Sequence, residues 1–118
     1  MNKGTLVFPV TKKIASATSD ILSTDIGMAG KLLCIQNLSF TDETTSPTRV
    51  DLGFLRGADF IPLRSFLAPG IGFTVIHDNE TWLHIDDKPA ARVIGGVVGD
   101  EIQLVITGYV YQEYQKES

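Results

Sequence analysis

The run Gly99-Asp100-Glu101-Ile102-Gln103-Leu104-Val105-Ile106-Thr107-Gly108-Tyr109-Val110-Tyr111-Gln112 constrains the fold more than any other stretch of the chain. It is filled with β-branched and aromatic residues and opens at a Gly-Asp turn, so it reads as one long strand rather than a helix. Side chains alternate across a strand, which puts Ile102, Leu104, Ile106 and Val110 on one face that a second layer must cover. The opposite face carries Gln103, Val105, Thr107, Tyr109 and Tyr111. That composition suits water near the start of the strand and another protein surface near its end.

The other strand signals are shorter and follow one another closely. Thr5-Leu6-Val7-Phe8 is a strand candidate, whereas Ile14 to Ile26 fits neither the helical nor the strand period for long. After the break at Gly27-Met28-Ala29-Gly30, Lys31 to Phe40 reads as a strand apolar on both faces at its start, hence central in a sheet. A polar loop containing Pro47 follows. Val50, Leu52 and Phe54 then alternate with Arg49, Asp51 and Gly53, and the strand before the loop is the expected partner of this one. Phe60-Ile61-Pro62-Leu63 is a short strand that Pro62 confines to an edge or a bulge, and Pro69-Gly70 suits the centre of a type II turn. Ile71–Ile76 and Thr81–Ile85, separated by His77-Asp78-Asn79-Glu80, read as a tight hairpin. Ala91–Ile94 is a further strand, with Gly95-Gly96 a bulge candidate.

About eight short strands with regular turn signals, and no amphipathic helix, predict an all-β chain: a single-domain antiparallel β-sandwich, jelly-roll-like, or a small barrel. At 118 residues with 43% hydrophobic content, one domain spanning 1–118 buries roughly two-thirds of its unfolded surface without metal or disulfide staples. Residues 1–30 are an N-terminal segment that packs on the sandwich or mediates assembly. The formal charge of −4 leaves no basic stripe for a phosphate backbone, so no nucleic-acid partner is expected. Pro9 cuts the N-terminal apolar run too short for a signal peptide or a membrane helix, so no membrane partner is expected either.

The residues that could carry chemistry do not assemble into a motif. His77, Asp78, His84 and Asp86 lie near one another in sequence, but a cupin-type site needs two imidazoles one residue apart on a single strand, and His84-Ile85-Asp86 supplies one. Glu80 belongs to the turn, and polar side chains at a turn are ordinarily a solvated rim. No Gly-x-Ser-x-Gly elbow occurs, and the Gly70-Ile71-Gly72 and Gly95-Gly96 pairs precede strands rather than helix N-termini. Cys34, the one cysteine, sits in an apolar run that suits a buried thiol. No catalytic residue, cofactor or metal is therefore assigned. Trp82 reads as a core plug, while Tyr109 and Tyr111 either form an outward stripe or pack beneath the N-terminal segment. With Phe60 and Ile61 on the candidate edge strand, these tyrosines are the possible interaction surface.

The runs Leu33–Phe40 and Val50–Gly57 and the close Gly99–Leu104 to Gly108–Tyr111 resemble small virion structural proteins of tailed bacteriophages, over about the C-terminal three-quarters of the chain. That resemblance implies a non-enzymatic β-sandwich made in the host cytoplasm and built into the virion, as a capsid decoration protein or in the head–tail region. It also implies a homo-oligomer, a trimer first, with other virion proteins as partners. The alternatives from the residues alone are a glycan- or ligand-binding sandwich and, third, a cupin-like metal-dependent enzyme.

Overall fold

The computed structural model describes residues 5–24, 31–83 and 87–112. Ten strands run through them in chain order: β1 (Thr5–Val7), β2 (Val10–Ile14), β3 (Asp20–Ser23), β4 (Lys31–Asp42), β5 (Arg49–Arg56), β6 (Asp59–Leu67), β7 (Thr74–His77), β8 (Thr81–Leu83), β9 (Lys88–Ile94) and β10 (Glu101–Gln112). They form two antiparallel sheets, one in the order β1-β10-β4-β7 with β2 also on β10 and β8 also on β4, the other in the order β3-β9-β5-β6. We refer to these as the first and second sheets. The chain is a β-sandwich, and the barrel alternative falls away because both sheets keep open edges.

Two edges of the first sheet are strands broken in the middle. β1 and β2 lie end to end along β10, and the carbonyl of Pro9 between them still accepts the Ile106 N–H at 3.1 Å. β7 and β8 lie end to end along β4 in the same way. Counting each broken edge as one strand leaves eight, which run 1-8-3-6 in the first sheet and 2-7-4-5 in the second. The first strand pairs the last, the second the seventh, and so inward, which is the folded-over hairpin of a jelly roll. The segment 5–24 is thus woven into both sheets, with β1 and β2 on an edge of one and β3 on an edge of the other. The Gly27–Gly30 break lies outside the described residues.

Two expected pairings are corrected. β5 does not pair with β4 but with β6 and β9 in the facing sheet. The intervening loop is longer than the two to five residues of most hairpins, and it serves as an arch between layers. Nor do β7 and β8 form a hairpin; both hydrogen-bond to β4. Strands of four and three residues would make a marginal hairpin, whereas the long free edge of β4 offers each a ladder.

The core lies between the sheets. β10 contributes Ile102, Leu104 and Ile106, all fully buried, with Val110 packed at the margin. β4 contributes Leu33 and Ile35, then Leu38 and Phe40. The parity changes because the pairing with β10 slips between Thr107 and Gly108, leaving Gln36 as the extra residue of a bulge. Gly108 is required there, since a Cβ would stand 2.4 Å from the Cys34 carbonyl oxygen. A second bulge puts Gly53 opposite Pro62, where a Cβ would meet the Ile61 carbonyl oxygen at 2.0 Å. Pro62 therefore sits at a bulge on an edge strand, where a residue without an N–H is tolerated.

On the outer side of the second sheet, Asp51 is buried among polar partners. It accepts hydrogen bonds from Ser65 Oγ at 2.6 Å, from Arg92 Nη2 at 2.8 Å and from Arg49 Nη2 at 3.1 Å. Burial pushes its carboxyl up, but the Ser65 hydroxyl and the two guanidinium groups outweigh this and hold it below the ordinary carboxylate value.

Candidate interaction surface

Strand register dictates what the outer face of the first sheet displays. Leu6 of β1 stands opposite Tyr109 of β10, Tyr109 opposite Cys34 of β4, and Cys34 opposite Trp82 of β8. Residues directly opposite in antiparallel strands share a face, so these four form one row across the sheet. Leu6 is 49% exposed, Tyr109 36% and Trp82 53%, while Cys34 between them is buried. One step along, Tyr111 stands opposite Leu32. The Trp82 ring leans across β4 to Tyr111, with ring centroids 5.2 Å apart and planes tilted by 37°. Such tilted aromatic pairs are favourable and fix the rings in place.

A second apolar row runs through Val10, Val105, Ser39 and Ile76, with Val10 and Ile76 exposed at its two ends. The Thr107–Asn37 pair separates the two rows. The two rows therefore give a largely apolar patch with an aromatic end and a polar seam, with Lys12 and Glu80 as charges at its margin. Contiguous exposed apolar patches mark protein–protein or membrane interaction sites, or ligand-binding grooves.

The expected site residues divide between the sheets. Tyr109 and Tyr111 point outward on the first sheet, but Phe60 and Ile61 lie on β6 of the second. The Phe60 ring is partly covered by the Arg92 guanidinium, 4.6 Å from its centroid, and Ile61 stands opposite Phe54. The four do not form one surface. Trp82 is not a core plug: Leu83, its neighbour, is the residue that enters the core. Leu6, Val10, Ile76 and Trp82 are the surface residues that the sequence left unassigned or placed inside, and their strand parity was the available signal.

The remaining chemical candidates are separated from this face or engaged. His77 is buried rather than solvated, with Nε2 3.3 Å from Thr81 Oγ1 and Nδ1 without a partner. Burial and then the Arg64 charge lower its pKa against the pull of Asp78, so the imidazole is neutral at pH 7. His84 and Asp86 lie outside the described residues, and among the described residues no three His, Cys, Asp or Glu side chains gather as a metal site. Gln36 Nε2 approaches Cys34 Sγ at 3.4 Å and donates to Glu80 Oε2 at 3.3 Å. Burial pushes the Cys34 thiol up and the Glu80 carboxylate pushes it further, which opposes formation of a thiolate.

No family model matches the chain, and no curated protein matches it. The chain is similar in fold to a protein of Bacillus endospore appendages, described as forming a novel family of disulfide-linked pili. The TM-score is 0.50 at 13% identity, over 96% of this chain and 93% of that one. At that identity the likeness is one of fold.

Proposed function

We propose that this chain is a non-enzymatic structural subunit that works as a symmetric homo-oligomer, docking through the outer face of its first sheet. The observation that carries the reading is the row Leu6–Tyr109–Cys34–Trp82, with Tyr111 beside it: an aromatic, largely apolar row that crosses the sheet from edge to edge through its central strands β10 and β4. Tyr and Trp bury large areas at small entropic cost, which is why they dominate interface centres. The pilus description of the fold neighbour supports self-association as a use of this architecture. Linking subunits into a polymer by disulfides takes two cysteines in each. These 118 residues hold one, Cys34, and it is buried. The contacts we propose are non-covalent.

The finer reading is a component of a tailed-phage virion, decorating the capsid or occupying the head–tail region, with a trimer as the first oligomer to test. It rests on the sequence resemblance carried by Leu33–Phe40, Val50–Gly57 and Gly99–Tyr111, and the jelly-roll order agrees with it, because viral coat domains use that fold. Lectins and cupins use it too, so the fold by itself does not choose among them. The Trp82–Tyr111 platform favours glycan binding as the second reading, since flat aromatic rings can stack on sugars. Light scattering across a dilution series separates the readings. A particle heavier than the 12.9 kDa chain that dissociates on Tyr109→Ala or Tyr111→Ala supports docking through this face. A monomer at every concentration, with Trp82 fluorescence responding to added oligosaccharide, supports the second reading instead.

A further inference from the structure

The end of the sandwich where β4 finishes and β10 begins buries two carboxyl groups that both bond to Thr45. Asp42 is 2% exposed and Asp100 3%. Asp42 Oδ1 accepts the backbone N–H groups of Thr44 at 3.0 Å and Thr45 at 3.2 Å, and Asp100 Oδ2 accepts the Thr45 hydroxyl. Asp42 Oδ2 is the exception: it is buried and has no hydrogen-bond partner.

No cation offsets this pair among the described residues. Lys13 of β2, across from Ile102, is bound to Asp20 at 2.9 Å. Lys12 stands opposite Gln103, on the outer face. Arg49 at the start of β5 is bound to Asp51. Glu43 and Glu101 flank the site as exposed side chains and add only negative charge, while the turn from 68 to 73 and the segment from 94 to 99 carry no charged residue. Burial and a neighbouring carboxyl, with no compensating positive charge, both disfavour ionisation of Asp42. A proton on Asp42 Oδ2 removes that cost and turns the orphan acceptor into a donor.

We propose that Asp42 keeps its proton over a pH range in which exposed carboxyls are ionised, making a pH-sensitive clasp at this end of the sandwich. The clasp holds more than itself. Glu43 N–H donates to the Glu101 carbonyl at 3.3 Å, and Gly72 N–H to the Asp42 carbonyl at 2.8 Å. Gly70 N–H donates to Ser46 Oγ at 2.9 Å, and Ala68 N–H to the Thr48 carbonyl at 2.9 Å. The loop after Asp42 thereby carries the turn that displays Leu67, Ile71 and Phe73 to solvent. When the proton leaves Asp42 Oδ2 for water, an uncompensated buried charge loosens the loop and the turn it carries. This device is separate from the outer face of the first sheet and does not depend on its role.

Burial raises the pKa of Asp42 and the Asp100 charge raises it further, against the Thr44 and Thr45 N–H groups, so the folded value lies above the ordinary 3.8. The native state then holds its proton to higher pH than the unfolded chain. The clasp contributes fully below about pH 3.8 and is lost as pH rises through the raised value. Carbon-detected NMR of the Asp carboxyls in the whole chain tests this, with melting temperature measured against pH beside it. We expect Asp42 to titrate above the ordinary carboxylate value. We also expect Asp42→Asn, whose amide donates where the proton did, to melt higher than the wild type once pH exceeds the raised value. Titration of Asp42 at or below the ordinary value overturns the proposal. So does a calcium-dependent rise in wild-type melting temperature at high pH that Asp42→Asn abolishes, which would make the compensating charge a metal ion. Should Asp42→Asn fail to fold, the wild-type titration decides alone.

Discussion

Replacing Leu104 by alanine tests the sandwich where it is most densely built. Leu104 is fully buried in the middle of β10, with β2 hydrogen-bonded on one side and β4 on the other. The substitution removes three buried carbons, about 2.4 kcal/mol at about 0.8 kcal/mol each. Strands pinned on both sides cannot collapse into the space, so a cavity penalty is added and the total falls at about 3–4 kcal/mol, inside the roughly 2–5 kcal/mol seen for such sites. A domain of this length loses roughly 4 °C of melting temperature per kcal/mol, which gives a drop of roughly 12–16 °C. Gln103→Ala is the control. Gln103 sits one residue away on the outer face, and its loss costs within about 0.5 kcal/mol. Urea unfolding followed by circular dichroism, compared at equal slopes, measures both. Equal small losses would refute the face assignment of β10 and with it the placement of Tyr109 and Tyr111.

Two further outcomes follow from close contacts and charge. Gly108→Ala places a Cβ 2.4 Å from the Cys34 carbonyl oxygen, a backbone atom that cannot swing aside, and costs about 1–3 kcal/mol by denaturant unfolding; a loss under about 0.5 kcal/mol would mean that the bulge is absent. Asp51→Asn costs about 1–3 kcal/mol at neutral pH, less than a fully buried pair, because the Arg49 and Arg92 side chains remain 38% and 31% exposed. The lowered pKa of Asp51 means its contribution is present above about pH 3.8 and lost as pH falls through the folded value, so the variant's acid-side decline is shallower than the wild type's. An unchanged acid limb in a stability–pH curve would contradict this.

The faces of strands were legible in the sequence and their neighbours were not. Period-two alternation places Ile102, Leu104 and Ile106 inward and Val50, Leu52 and Phe54 inward, because each side chain reports its own environment. Pairing is a property of two distant segments, so nothing local tells β5 that its partner is β6 rather than β4. The bulge at Gln36 left a readable trace: Leu33 and Ile35 are odd, Leu38 and Phe40 even, and both sets are buried. Tyr109 and Tyr111 were found by the same alternation. Trp82 was misplaced because Thr81-Trp82-Leu83 holds two adjacent large apolar residues, and three residues of strand do not say which one enters the core. Phe60 and Ile61, being adjacent in a strand, point to opposite sides and cannot both belong to one surface.

Trp82 is the chain's one tryptophan and stands in the row proposed as the docking face, so its fluorescence reports on that face alone. Iodide quenching measured from nanomolar to high micromolar protein tests self-association through the first sheet most directly. The account predicts an accessible indole in dilute solution that becomes shielded as concentration rises, with Leu6→Glu keeping it accessible throughout at an unchanged melting temperature. Quenching that is independent of concentration in the wild type would contradict it.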